Sequence, residues 1–321
     1  MTMTGDIDIG ADTIPDIVNA LAASPAFDQD GLCFAARNSG LYRSDDGGST
    51  WHPAYGSLEL TAPLATTAVA LSPAFSADQA IFAGVNGGIL RSVDGGASWN
   101  PTVFPPPASL VTALVVSPSF ATDGIVLAGT LEDGVFRSTD RGKSWASWNF
   151  GLLDLNVLCM AISPGFSDDE TLLAGTMSGL FRSTNGGRAW RETSFPMDDA
   201  PVLSVVPSSA YPEDGILFAG SEASGLFSST DRGRSWRGVG EDTLTGAVNG
   251  IILSPRFPAE PDILVLLNDA LLVSRDGGQS WAEWRAGLHF EVDTASIVAP
   301  RGINVAAPLL IGLIDGSVIR L

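Results

Sequence analysis

Short apolar runs alternate with turn residues along this chain, and their order repeats. A nearly unbroken apolar run, such as VTALVVS or VLCMAIS, leads into Ser-Pro. A second run follows (GIVLAGT, TLLAGT), then a tight turn, a third run (GVFRS, GLFRS) and a polar turn closed by Trp. The Trp opens a fourth, more polar segment. Four short strands set apart by turn signals about every ten residues predict an antiparallel meander. The continuous apolar first run suits an innermost strand packed on both faces. The polar fourth segment suits an outer edge.

The polar turn has the form Ser-x-Asp-x-Gly-x-x-Trp and occurs six times. Its residues are Ser44, Asp46, Gly48 and Trp51, then Ser92, Asp94, Gly96 and Trp99, then Ser138, Asp140, Gly142 and Trp145. It continues as Ser183, Asn185, Gly187 and Trp190, then Ser229, Asp231, Gly233 and Trp236, and finally Ser274, Asp276, Gly278 and Trp281. Successive third positions are 48, 46, 45, 46 and 45 residues apart. A four-stranded unit repeating at that period is a propeller blade. The first run also precedes the first box (VNALAASPAF) and, degenerate, follows the last (TASIVAPRG). The 45 residues after Asp276 hold a second and third strand, PLLIGLI and GSVIRL, but no seventh box. The expectation is an all-β, seven-bladed propeller forming a single domain over 1–321. Residues 1–13, with the alternating GDIDIGA, are expected to supply the outer strand of blade seven. That pairing would remove two open edges.

Composition narrows the partners. Hydrophobic residues make up 45% of the 321, enough for a large core. The formal charge of −19 disfavours phosphate backbones and anionic lipid, so neither nucleic acid nor membrane insertion is expected. A basic protein partner remains compatible. No basic-then-apolar leader and no apolar stretch of about 20 residues is present, from which a cytoplasmic location is expected. Cys33 and Cys159 lie in apolar runs and are expected as buried free thiols. Neither they nor His52 and His289 have metal-site spacing, and no cofactor is expected. There is no nucleophile elbow and no phosphate-binding loop.

The boxes resemble those of the BNR/Asp-box superfamily, which includes sialidases, sortilin-type receptor domains and photosystem II assembly factors. The resemblance covers nearly the whole chain and implies the propeller fold. It does not imply one activity, because such folds host unrelated ones. Within each box, Ser and Asp side chains are suited to lock a hairpin, Gly to permit positive φ, and Trp to pack between blades. One box offers too few carboxylates for calcium. A sialidase-like member would need three converging arginines, a Tyr–Glu pair, a further acid and an Arg-Ile-Pro motif, and that motif is absent. Arg43, Arg91, Arg137, Arg141, Arg182, Arg188, Arg232, Arg234 and Arg275 fall in third strands or box turns. Only Arg37, Arg285 and Arg301 are left for the opposite face. Tyr42 and Tyr211 are assigned to the box face, leaving Tyr55.

The resemblance implies that ligands bind opposite the boxes, around the channel. That face should carry the loops between second and third strands and the loops between blades. Its acidic candidates are Glu132, Asp133, Asp154, Asp198, Asp199, Glu222, Glu241, Asp242, Asp269, Glu291 and Asp293. They read either as a solvated rim or as a docking surface for a basic partner. Trp148, Phe150, Trp284, His289 and Phe290 read either as packing under the outer strands or as a protein or glycan contact. The favoured expectation is a non-catalytic protein-interaction scaffold. The alternative is a carbohydrate-binding or sialidase-like glycoside hydrolase propeller.

Overall fold

A computed structural model describes residues 15–105, 109–196 and 201–321. It contains seven antiparallel sheets, six of four strands and one of three. Within each sheet the strands follow chain order, so every blade is a simple meander. Blade three is representative, with strands Val111–Val116, Val126–Thr130, Gly134–Ser138 and Ala146–Ser147 from channel to rim. Blade seven comprises Thr294–Val298, Leu310–Leu313 and Val318–Arg320 among the described residues. The closing strand expected from residues 1–13 lies outside the described residues.

Burial departs from the sequence expectation in one respect. The apolar first strands are only half-buried along much of their length, as in Val111–Val116, because they face the channel. The second strands are buried throughout, as in Val126–Thr130, Leu172–Thr176 and Ile263–Leu267. A second strand is flanked by strands within its own sheet and covered by a neighbouring blade on each side. Apolar continuity alone does not separate these two environments. The fourth strands, such as Arg191–Glu192 and Ala282–Glu283, are exposed as expected.

Two devices hold neighbouring blades together near the channel. The first is close approach at a second-strand glycine. A Cβ on Gly129 would stand 2.6 Å from Val157 Cγ1 of the next blade, and one on Gly312 would stand 2.5 Å from Val18 Cγ1. The second is a closed circle of seven side-chain-to-backbone hydrogen bonds. Asn19 donates to the Thr66 carbonyl (3.1 Å), Thr67 to Val111, Thr112 to Val157 (2.6 Å) and the Cys159 thiol to Val202 (3.4 Å). Ser204 donates to Val248 (2.9 Å), Asn249 to Thr294 (2.9 Å) and Ser296 to Val18 (2.8 Å). Each blade thus satisfies a carbonyl at the start of the next inner strand, including across the seam from blade seven to blade one. Cys159 is the one sulfur donor in the circle, and S–H is a weak donor. Cys33 is buried and Cys159 half-buried, and both are free thiols. Burial pushes Cys159 up to about 12 and Cys33 up to about 11.

Candidate functional site

On the box face the polar groups turn inward on themselves. In the first box, Ser44 Oγ donates to Asp46 Oδ1 (2.8 Å) and accepts from the Gly48 amide (2.9 Å). Asp46 Oδ1 also accepts the Ser49 and Thr50 amides, both at 2.9 Å, while Thr50 Oγ1 donates to Oδ2 (2.6 Å). Gly48, at φ 88°, tucks beneath the neighbouring blade, where a Cβ would stand 2.6 Å from Leu310 Cδ2. The Asp276 carboxyl is held at about 2, first by the Ser280 hydroxyl and then by its amide. Asn185 keeps the turn with one change. Its Oδ1 accepts the Ala189 amide (2.8 Å), and Ala189 stands where the other boxes place the Ser or Thr hydroxyl that an aspartate would require.

A second motif, missed in the sequence, faces each box. Ser-Pro begins a turn in which the serine hydroxyl bonds a carboxylate six residues on. Examples are Ser24 to Asp30 (2.7 Å), Ser72 to Asp78 (2.6 Å) and Ser163 to Asp169 (2.6 Å), and Ser208, followed by Ser209 in place of proline, makes the same bond to Asp214 (2.7 Å). One turn of helix carries a buried aromatic inward, Phe27, Phe75, Phe120, Phe166 or Tyr211. The signal was present as Ser-Pro-x-Phe-x-x-Asp in SPAFDQD, SPAFSAD and SPSFATD. The box then clasps this turn, with Gly47 N donating to Gly31 O (2.9 Å) and Gly186 N to Glu170 O (2.9 Å).

Arginines and box tryptophans staple one blade to the next. Arg43 Nη1 donates to Gly95 O (3.1 Å) and Arg137 Nη1 to Gly186 O (2.7 Å), and Arg182 Nη1 reaches Arg232 O. In each case the acceptor follows the box Asp or Asn of the next blade. Trp99 Nε1 donates to Ala54 O (2.9 Å), Trp145 to Thr102 Oγ1 (3.1 Å) and Trp190 to Trp148 O (2.8 Å), all in the preceding blade. The indole nitrogens of Trp51, Trp236 and Trp281 have no hydrogen-bond partner among the described residues. These arginines are therefore committed to structure.

The faces assigned to Arg285, Arg301 and Tyr42 are corrected. Arg301 belongs to the box side, where it pairs with Asp28, and Arg285 lines the same cavity of about 590 Å3 with Arg320. Their loops turn them away from the channel mouth. Tyr42 is not on the box side. Arg37 lies 4.4 Å over its ring and Ser39 Oγ donates to its hydroxyl (3.1 Å). Tyr55 is buried, edge-on to Trp99 at 5.4 Å. The three arginines left over in the sequence are thus not brought together.

Hairpin loops between second and third strands and loops between blades make up the opposite face. Glu132, Glu222, Glu241, Asp242, Asp269, Glu291, Asp293 and His289 are exposed there. Asp133 accepts a hydrogen bond from Ser109 Oγ. Asp154 accepts from the Asn156 amide (2.9 Å), Asn156 Nδ2 (3.0 Å) and the Ser178 amide (2.8 Å), tying two loops together. Burial raises its carboxyl, and these donors outweigh burial, so it titrates below its ordinary value. Asp198 and Asp199 lie outside the described residues.

The aromatic candidates turn out to be packed. Trp284 is 5% exposed, with Arg275 5.4 Å from its ring. Trp148 is half-buried, with Arg137 at 4.3 Å and Arg188 at 5.7 Å. Phe290 is half-buried against the core of blades six and seven. The sequence pattern could not distinguish these from an open aromatic platform, because what covers them comes from residues distant in sequence, such as Arg188 of blade four over Trp148. Among the described residues no three His, Cys, Asp or Glu groups form a metal site. Among them, too, no helix is long and apolar enough to cross a membrane.

A family model for the BNR/Asp-box repeat matches residues 42–53. No curated protein matches in sequence. In structure the chain is similar to a GH74 xyloglucanase from Xanthomonas campestris, with TM-score 0.74 and 16% identity. That likeness covers 96% of this chain and 52% of the xyloglucanase, so the chain spans about half of that enzyme's length. It is also similar to YCF48 bound to D1 peptide, with TM-score 0.70 and 16% identity over 96% of this chain and 94% of that one. A third likeness is to the extracellular domain of a putative one-component system from B. thetaiotaomicron, with TM-score 0.70 and 14% identity, covering 97% of this chain and 38% of that one. At such identities the likeness is one of fold, shared by enzymes and non-enzymes. The chain is a seven-bladed β-propeller built on the BNR/Asp-box repeat.

Proposed function

We propose that this propeller is a non-catalytic protein-interaction scaffold that engages a basic partner through its loop face. The carrying observation is the gathering of arginines on the box side. Arg43, Arg137, Arg182, Arg301 and Arg320 are committed to blade-to-blade contacts on the box side, while exposed carboxylates populate the loops opposite. A negative face attracts and orients a cationic partner. YCF48, a propeller of similar length, is bound to a D1 peptide, which favours a peptide or protein ligand over a small substrate. The glycan reading loses its strongest support with Trp284 buried and Trp148 covered by arginines.

Zero-length carboxylate-to-amine crosslinking tests this reading. The chain has a single lysine, Lys143, so internal products are few. Crosslinks from Glu132, Glu241 or Asp242 to lysines of a partner in extracts of the producing cell are expected, and weaken as salt rises. Crosslinks confined to Asp28 and Asp168 on the box side would overturn it.

A further inference from the structure

Phe150 and Leu153 are each 80% exposed, and Met177 is 48% exposed. Phe150 and Leu153 lie on one loop, 148–156, between blades three and four. Met177 lies in the adjoining hairpin loop, where its amide donates to Asn156 O (3.2 Å). Isolated exposed apolar side chains are ordinary, but a group of them on one pair of loops marks an interaction site. The loop has already met the needs of the core, with Leu152 buried and Leu155 packed beneath it. Phe150 and Leu153 are surplus to that packing.

The loop is also locked. Asn149 Oδ1 accepts the Val135 amide (2.7 Å), and Asn149 Nδ2 donates to Asp133 O (2.7 Å). Phe150 O accepts the Trp190 amide (2.8 Å), Leu152 N donates to Asn149 O (2.9 Å), and Leu155 O accepts the Gly134 amide (2.9 Å). Gly151 has φ 79°, and a Cβ there would stand 2.4 Å from Trp190 O. A loop fixed in this way loses little freedom on binding, as an interface anchor should.

We propose that Phe150 and Leu153, with Met177 on the adjoining hairpin, form the apolar anchor of the partner interface. The inference rests on the scaffold reading and gives it a location. The partner's matching segment carries apolar side chains flanked by lysine or arginine. Charge complementarity selects it: Glu132 is exposed in the adjoining hairpin, which also holds Asp133, and Asp154 lies on the loop itself. The two arginines on Trp148 are already engaged, Arg137 with Gly186 O (2.7 Å) and Arg188 with Glu170 (3.0 Å). Burying such anchors inside a charged rim is the usual anatomy of a hot spot.

The test selects a displayed library of random dodecapeptides against the immobilised full chain. Enriched peptides are measured on the parent, on Phe150→Ser/Leu153→Ser, and on Val305→Ser, which removes an exposed apolar group (56% exposed) across the ring on the box side. Circular dichroism melts verify that all three fold. Peptides rich in Lys or Arg around apolar residues are expected, with binding at least tenfold weaker on the double variant and unchanged on Val305→Ser. Peptides that bind the double variant as well as the parent would overturn the anchor while leaving the scaffold reading intact. Enrichment without cationic residues, or no enrichment, would overturn it as well.

Discussion

At the scale of single residues, the conspicuous polar groups are used within the fold. The box aspartates resemble candidate ligands in sequence, yet each is saturated by its own turn. Asp276 illustrates the consequence for pH. Its folded carboxyl, at about 2, lies below the ordinary 3.8. A depressed carboxyl contributes stability above its unfolded value and loses it as pH falls through the folded one. Asp276→Asn is therefore expected to melt below the parent at pH 7, with the gap closing between pH 4 and pH 2, read by thermal melts across that range. Arg137 is buried, bonds the next box and stacks on Trp148, so Arg137→Ala should cost about 2 kcal/mol, measured by urea unfolding. At the channel, Cys159→Ser replaces the weakest donor in the circle with a hydroxyl and is expected to raise the melting temperature. Ser204→Ala, which leaves the Val248 carbonyl without that donor, is expected to lose about 1 kcal/mol.

Elements show how far pattern reading reaches. The box hairpin was legible because its turn chemistry is local. Ser, Asp and Gly at fixed spacing satisfy one another within a few residues, and no distant neighbour is required. The Ser-Pro turn was equally local, but its serine–carboxylate pair was hidden by its position between two obvious apolar runs. The partner of each box, the carbonyl ending that turn, lies on a different loop of the same blade. The loop bearing Phe150 and Leu153 was visible only as an aromatic-rich stretch. Which of its side chains would be covered was set by packing against the third strand of its own blade and against blade four. Trp148, read as a candidate contact, is occupied by Arg137 and Arg188, whereas Leu153 drew no attention and is almost fully exposed.

For the whole molecule, the ring closes between blades seven and one. Six sheets have four strands and the seventh has three among the described residues. The inner circle of hydrogen bonds already crosses that seam through Ser296 and Val18 (2.8 Å), but the outer edge at Val318–Arg320 has no strand beside it among those residues. Trp99, Trp145, Trp190 and Trp236 each stand twelve positions before the buried valine of the next inner strand, at Val111, Val157, Val202 and Val248. Twelve positions before Val18 stands Asp6, so the same spacing would place the start of the outer strand expected from residues 1–13 within GDIDIGA. Deleting residues 1–13 is expected to lower the melting temperature by several degrees and to promote association through the bared edge, read by calorimetry and sedimentation. An unchanged transition would reject this closure.

The sequence by itself determined the repeat, the number of blades, the strand order within each and the face on which the boxes lie. All of these follow from apolar periodicity and turn chemistry acting within about 45 residues. Tertiary structure decided which strand is buried most deeply, where the arginines go and which loop side chains stay open. Those outcomes depend on what a neighbouring blade places against each position. Gly129 meets Val157, Arg137 meets Gly186 and Trp190 meets Trp148 across a seam that no single repeat contains. The exposure of Phe150 and Leu153 was left over from the same packing, and the proposed anchor was therefore recognisable only in the assembled ring.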